Sequence, residues 1–257
     1  MTAPTVGHAR GPVHETDASA FVMEGDLTRV CESCLAAGTP RSEAELRDAI
    51  GPRFQRSNGV PRRNSRYPRH VTSVELIHAG YINDDSRVGS SISLIRDGTA
   101  VIVADPGLVS SQARILEPLA ARGLDPRDVT HVFLSHHHPD HTMNVALFPN
   151  AEVVDFWARY RADLWLDHDG DGWQMTDHAQ LWLTPGHSNE DASLIVRADD
   201  AMYALTHLWW RQDRTPEIDP FAPDQAVLET QRARVLAAVD IVIPGHGESF
   251  RVNGEAR

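Results

Sequence analysis

Four histidines fall within six residues straight after Thr130–Leu134 (THVFL), a pattern that reads as a buried strand: Ser135-His136-His137-His138-Pro139-Asp140-His141. Imidazole and carboxylate groups are the usual ligands for zinc or iron in a catalytic site. Loops at strand ends carry such chemistry on a rigid frame. In the form His136-x-His138-x-Asp140-His141, the first two histidines can point to one side of an extended turn and grip one ion. The Asp-His pair would start a helix on another side. This geometry suits two neighbouring metal ions better than one, and it ties the fold to a strand that ends at a ligand-bearing turn.

Two more histidines stand in the same context. Thr184-Pro185-Gly186-His187-Ser188 ends the strand pattern Gln180–Thr184, and Pro244-Gly245-His246-Gly247 follows the pattern Asp240–Ile243. A Pro-Gly turn exposes the side chain after it. Alone, each could be only a turn; with the first motif, in this order, they point to a metal site. Further short strands are expected at Val74–His78, Ser91–Ile95, Ala100–Ala104, Glu152–Phe156, Ser193–Val196 and Met202–Leu205, with Asp97-Gly98 as a hairpin turn. Helices are expected across Gln112–Ala121 and Ala226–Val239. Strands with interspersed helices predict a layered α/β protein.

Charge divides the chain. Residues 1–70 hold ten Arg and eight acids; residues 71–257 hold fourteen Arg and twenty-eight acids. Residues 51–70 carry six Arg and three Pro without an acid. We therefore expect an N-terminal extension or arm over 1–70, with a short helix capped by Ser42 and Glu45, and a catalytic domain over 71–257. No 18-residue apolar run and no secretory signal are visible, and two cysteines cannot make a disulfide scaffold. These features predict a cytoplasmic protein without a membrane span.

In the order of these motifs, residues 71–257 resemble the metallo-β-lactamase superfamily. The likeness includes the turn Ala104-Asp105-Pro106-Gly107, the approach Gly123–Val132 and the ending Val242–Val252. It implies an αββα sandwich with the metal site at one edge. It also implies one metal held by His136, His138 and His187, and a second held by Asp140, His141 and His246. One position departs from the family pattern. Where the family places a metal-bridging Asp after a strand, Thr206-His207-Leu208 follows Met202–Leu205. A carboxylate can touch both ions, whereas a neutral imidazole offers one lone pair. His207 is expected to face the metal pair, ligating one ion or lying just outside its shell.

Weaker features have plainer readings. Asp167-x-Asp169-x-Asp171-Gly172 imitates the start of a calcium loop but has His178 where a closing Glu should stand, so an acidic turn is expected. Cys31 and Cys34 have no second Cys pair and read as two reduced thiols, with His70 a distant partner for zinc. All six Trp lie between Trp157 and Trp210 and suit either core packing or an aromatic wall over the metal cleft. The Arg cluster at 53–69 reads as a solvated arm rather than a nucleic-acid site, because the acidic catalytic region should repel a polyanion.

The chain thus reads as a dinuclear metal-dependent hydrolase of a small molecule. The metals are expected to be zinc, with iron or manganese also fitting. Activated water attacks an ester, lactone, thioester or amide carbonyl, and Asp140 both binds the second metal and can relay a proton. The alternatives are a metal-dependent ribonuclease or phosphodiesterase, and an iron-dependent redox enzyme on the same fold. The acidic balance and the missing bridging Asp weigh against the first. The second expects an acidic residue where His138 stands.

Overall fold

The computed structural model describes residues 71–213 and 215–252. The expected arm, its Ser42–Glu45 helix, the Cys31/Cys34 pair and the Arg cluster lie outside the described residues. In chain order the first strands are β1 (Ser73–His78), β2 (Tyr81–Ile82), β3 (Val88–Gly89), β4 (Ile92–Asp97), β5 (Ala100–Ala104), β6 (His131–Phe133), β7 (Glu152–Val154), β8 (Arg159–Arg161) and β9 (Leu164–Leu166). They continue with β10 (Trp173–Gln174), β11 (Ala179–Leu183), β12 (Ala192–Arg197), β13 (Met202–Leu205), β14 (Ile241–Ile243) and β15 (Phe250–Arg251). The described α-helices are α1 (Ala113–Ala121), α2 (Pro139–Thr142) and α3 (Gln225–Ala238).

A seven-stranded sheet runs in the order β1-β4-β5-β6-β7-β8-β9 and a six-stranded sheet in the order β10-β11-β12-β13-β14-β15. Side chains on a strand alternate between faces, and this alternation builds the layers. On β12, Leu194 and Val196 enter the core between the sheets, while Ile195 packs with Leu228 and Val235 of α3. On β5, Ile102 and Ala104 face the same central core, while Val103 packs outward with Ile115 and Leu119 of α1. Helices thus cover both outer faces, giving the αββα sandwich.

The connections decide where the chemistry sits. β5 and β6 are parallel, as are β13 and β14, and parallel neighbours need a crossover. α1 and α3 lie in those two crossovers. α3 begins at Asp224, whose carboxylate caps the amides of Ala226 and Val227. The crossovers return the chain so that β5, β6, β13 and β14 all end on the same side. The Asp97-Gly98 hairpin is present, with Gly98 at φ +61°.

The short strands β2, β3, β8, β9, β10 and β15 are absent from the sequence reading. Each has two or three residues, too few to establish a period. Asp167–Gly172 is a turn, as expected: Asp171 accepts from the Leu183 amide and pairs with Arg234.

Candidate metal centre

Each loop that carries a candidate ligand leaves a strand end. The turn after β6 carries His136 and His138; Pro139 opens α2, whose first turn holds Asp140 and His141. This turn is fastened from below by Asp105, a non-glycine residue at φ +48° just beyond β5. Asp105 accepts from the Ser135 amide at 2.7 Å and the Ser135 hydroxyl at 2.8 Å, and it bonds the His141 Nδ1 at 3.0 Å. Gly107 is required beside it, since a Cβ there would lie 1.6 Å from the Asp140 carbonyl oxygen. The family-like turn Ala104–Gly107 therefore brings the start of α2 against the sheet end.

The structure gathers all seven residues singled out from the sequence. His136, His138 and His187 have potential ligand atoms within 4.8 Å of one another, as do Asp140, His141 and His246. A third trio, His136, His141 and His207, takes one member from each of the first two. His207 thus stands between them, its ring centroid 4.2 Å from that of His187 and 5.1 Å from that of His246. Gly245 makes room for it: a Cβ there would lie 2.1 Å from His207 Cδ2.

The outer ring nitrogens are anchored. His141 bonds Asp105, His187 Nδ1 bonds Asp219 at 2.9 Å, His246 Nδ1 donates to the Gly89 carbonyl at 2.9 Å, and His136 Nδ1 lies 3.2 Å from the Ser135 hydroxyl. Such partners fix a ring and its tautomer. The inner nitrogens are anchored only to one another, His187 Nε2 lying 3.2 Å from His138 Nδ1 and His207 Nε2 3.1 Å from His246 Nε2, or not at all. His136 Nε2, His141 Nε2 and His207 Nδ1 are buried without a hydrogen-bond partner. Buried polar atoms are rarely left so, and a lone pair facing a cation removes the conflict.

Electrostatics agree with that role at four of the six imidazoles. Burial, then the neighbouring imidazoles, pushes His136 and His207 well below the ordinary histidine value. Burial also lowers His138, and it lowers His246 to about 4. Burial opposes the charge on His141, but the charge and hydrogen bond of Asp105 raise it overall. Neutral imidazoles keep the lone pair that a metal needs. Six imidazoles and one carboxylate, several with buried unpartnered nitrogens, fit a pair of divalent transition-metal ions.

Above the candidate ligands is a cleft of about 200 Å³, bounded by Ile82, Val88, Trp210 and Phe221 and floored by His138, Asp140, His187, His207 and His246. No arginine lines it among the described residues. Of the six Trp, Trp210 alone lines this cleft, where it joins Phe221; the aromatic wall left open by the sequence is met by that one Trp, and the rest are placed elsewhere. Trp182 lies under Arg234, Trp209 packs on Phe250, and Trp157 and Trp165 are exposed on the surface. The sequence reading also missed Phe221, Asp219 and the buried Asp191, which burial raises to about 6 against hydrogen bonds from Ser188. The motif Ala104–Gly107 signalled Asp105; nothing local signals Asp219.

The profile of the metallo-beta-lactamase superfamily matches residues 85–250. The chain belongs to the metallo-beta-lactamase superfamily. A Xenopus laevis protein named metallo-beta-lactamase domain-containing protein 1 is 30% identical over 75% of this chain and 87% of its own length. The Homo sapiens protein of the same name is 32% identical over 65% of this chain and 66% of its own. N-acyl homoserine lactonase AttM of Agrobacterium fabrum is 28% identical over 51% of this chain and 63% of its own. Among solved structures, a metallo-beta-lactamase-like protein of Thermotoga maritima superposes with a TM-score of 0.56 at 17% identity, covering 71% of this chain and all of that one. The superfamily binds metals, and the three ligand clusters are this chain's candidate metal site. No helix among the described residues is long and apolar enough to cross a membrane.

Proposed function

We propose that the protein is a dinuclear metal-dependent hydrolase, with zinc the preferred ion, acting on an ester, lactone, thioester or amide bond of a small uncharged molecule. The observation that carries this reading is the pairing of buried histidine clusters with an apolar cleft that lacks a cation. His136, His138 and His187 would hold one ion; Asp140, His141 and His246 would hold the other. His207 lies between them in place of a bridging carboxylate. When bound, such ions polarise a carbonyl and lower the pKa of water.

The chain's own residues do the rest. Asp105 and the Gly89 carbonyl keep the outer nitrogens of His141 and His246 occupied, so the other ring nitrogens stay free for the candidate metal cluster. Asp140 lines the cleft and can relay a proton to the leaving group. Ile82, Val88, Trp210 and Phe221 exclude water and favour an apolar substituent on the substrate. A phosphodiester would bring a negative charge into a cleft without an arginine, within a region where acids outnumber Arg twenty-eight to fourteen. The likeness to AttM makes lactones the first substrates to try.

The test is metal analysis of the purified protein, paired with a panel of lactone, ester, thioester and β-lactam substrates. Single-stranded RNA is offered at low and moderate salt. We expect about two ions per chain, hydrolysis of at least one carbonyl substrate and no cleavage of RNA. Cleavage of RNA without turnover of any carbonyl substrate replaces this reading with the nuclease one.

A further inference from the structure

One carboxylate joins the metal centre to the cleft wall. Asp219 has a fully buried side chain. Its Oδ2 accepts two bonds, from His187 Nδ1 at 2.9 Å and from the Trp210 indole N–H at 2.8 Å. Its Oδ1 accepts from the Phe221 amide at 3.0 Å, and its own amide donates to Gln225 Oε1 at 3.1 Å. The backbone of Trp210 is fixed independently, its carbonyl accepting from the His246 amide at 2.8 Å.

Trp210 introduces a conflict. Its indole N–H lies 3.3 Å from His187 Nδ1 as well. An indole nitrogen can only donate. Left alone with His187, it would require Nδ1 to accept, which puts the ring proton on Nε2. That nitrogen faces the centre, 3.2 Å from His138 Nδ1, and a protonated Nε2 cannot ligate a cation. Asp219 reverses the outcome, because a carboxylate accepts from both N–H groups at once and leaves the Nε2 lone pair inward.

We infer that Asp219 is a positioning residue that selects the metal-ready tautomer of His187 against the opposing indole of Trp210, and so makes the cleft wall compatible with the first ion site. This rests on the assignment of His187 as a ligand. Through the same oxygen and the Phe221 amide, Asp219 also sets the stacked pair Trp210 and Phe221, whose rings lie 5.8 Å apart at the cleft mouth.

The test compares wild type, Asp219→Ala, Trp210→Phe and the double variant. The His187 tautomer is read by ¹⁵N NMR in the metal-free protein, and zinc affinity by titration calorimetry. Wild type should carry Nδ1–H. Asp219→Ala should shift to Nε2–H and lose about 10- to 100-fold in affinity at the first site, as loss of an outer-shell partner does. Trp210→Phe should keep the wild-type tautomer. The double variant should regain part of the affinity lost in Asp219→Ala, because nothing then holds Nδ1 as an acceptor. If Asp219→Ala fails to fold, Asp219→Leu fills the space without accepting a bond and carries the same expectation. An unchanged tautomer overturns the inference, with or without a fall in affinity. A folded wild type that binds no zinc sinks the metal-site reading instead, while the tautomer comparison still judges Asp219.

Discussion

The two ends of the sandwich both bury a carboxylate against an imidazole, and they finish the arrangement differently. At the far end of β4, Asp97 accepts from Thr72 Oγ1 at 3.1 Å, Thr176 Oγ1 at 2.6 Å, the His178 amide at 2.7 Å and His178 Nδ1 at 2.7 Å. Every lone pair of that carboxylate facing the protein is used, and the bonds tie β4 to the segment between β10 and β11. At the other end, Asp105 holds three bonds, but the His141 it fastens and the neighbouring His136 each have a buried Nε2 without a partner. A satisfied buried network holds a fold together. One that stops short at a ring of lone pairs is poised for a ligand. The contrast separates structural histidines from candidate metal ligands where burial does not.

The strongest way to break this contrast is to damage each end in turn. His136→Ala with His138→Ala leaves one of three ligands at the first site. Metal content should fall from about two ions per chain to about one, with hydrolysis reduced to background. Metal analysis and a turnover assay check it, and a double variant that keeps both ions and activity removes the site assignment.

Asp97→Ala should do the reverse. It strands four donors at the far end and should cost about 2–4 kcal/mol of stability, measured by urea unfolding, while metal content stays at the wild-type level. A loss of metal at constant stability would erase the distinction between the ends.

His207 sharpens the comparison within the centre. A neutral imidazole adds no charge between two cations, so the second ion should bind more weakly than the first. His207→Asp should tighten the second site by about tenfold, the size of the smaller effects of changing a group beside a metal ligand. His207→Ala should leave the first site intact. Calorimetric titration of the three proteins decides this; identical binding of both ions by wild type and His207→Ala means that His207 is not a ligand.

A smaller effect concerns pH. Burial pushes Asp97 up, but hydrogen bonds from Thr176 and His178 outweigh it and hold the folded carboxyl below its usual value. A depressed folded pKa contributes stability above the unfolded value of about 4. That contribution is lost as pH falls from about 5 through the folded value. Unfolding midpoints of wild type and Asp97→Asn should therefore converge as pH drops toward 3. Parallel curves would show that Asp97 contributes no pH-dependent stability.

The smallest expected effect is none. Deleting residues 1–70 should leave metal content near that of the full chain, since none of the seven candidate ligands lies there. Loss of folding on deletion would show that the proposed boundary at residue 70 cuts into the core.

Much of this was legible in the chain itself. Histidine is a scarce residue type, and His136, His138, His187 and His246 stand close after apolar runs or Pro-Gly turns, so local order exposes them as candidates. Strands such as Ala100–Ala104 and Ser193–Val196 declare themselves as short apolar runs rich in β-branched residues, and the Asp97-Gly98 turn through its dipeptide. The layered fold follows, because period and turn chemistry are properties of neighbouring residues.

Tertiary structure alone decided which partner each imidazole received. Asp219 lies 32 residues beyond His187, and Gly245 makes room for a ring 38 positions earlier in the chain. Neither pairing has a spacing rule, and aspartate and glycine are common in loops for other reasons. The choice of Trp210 over five other tryptophans for the cleft was likewise made by the path of the chain after β13. Short-range sequence sets periods, caps and turns; contacts across the fold depend on where crossovers return the chain, which is settled only when the two sheets and their helices pack.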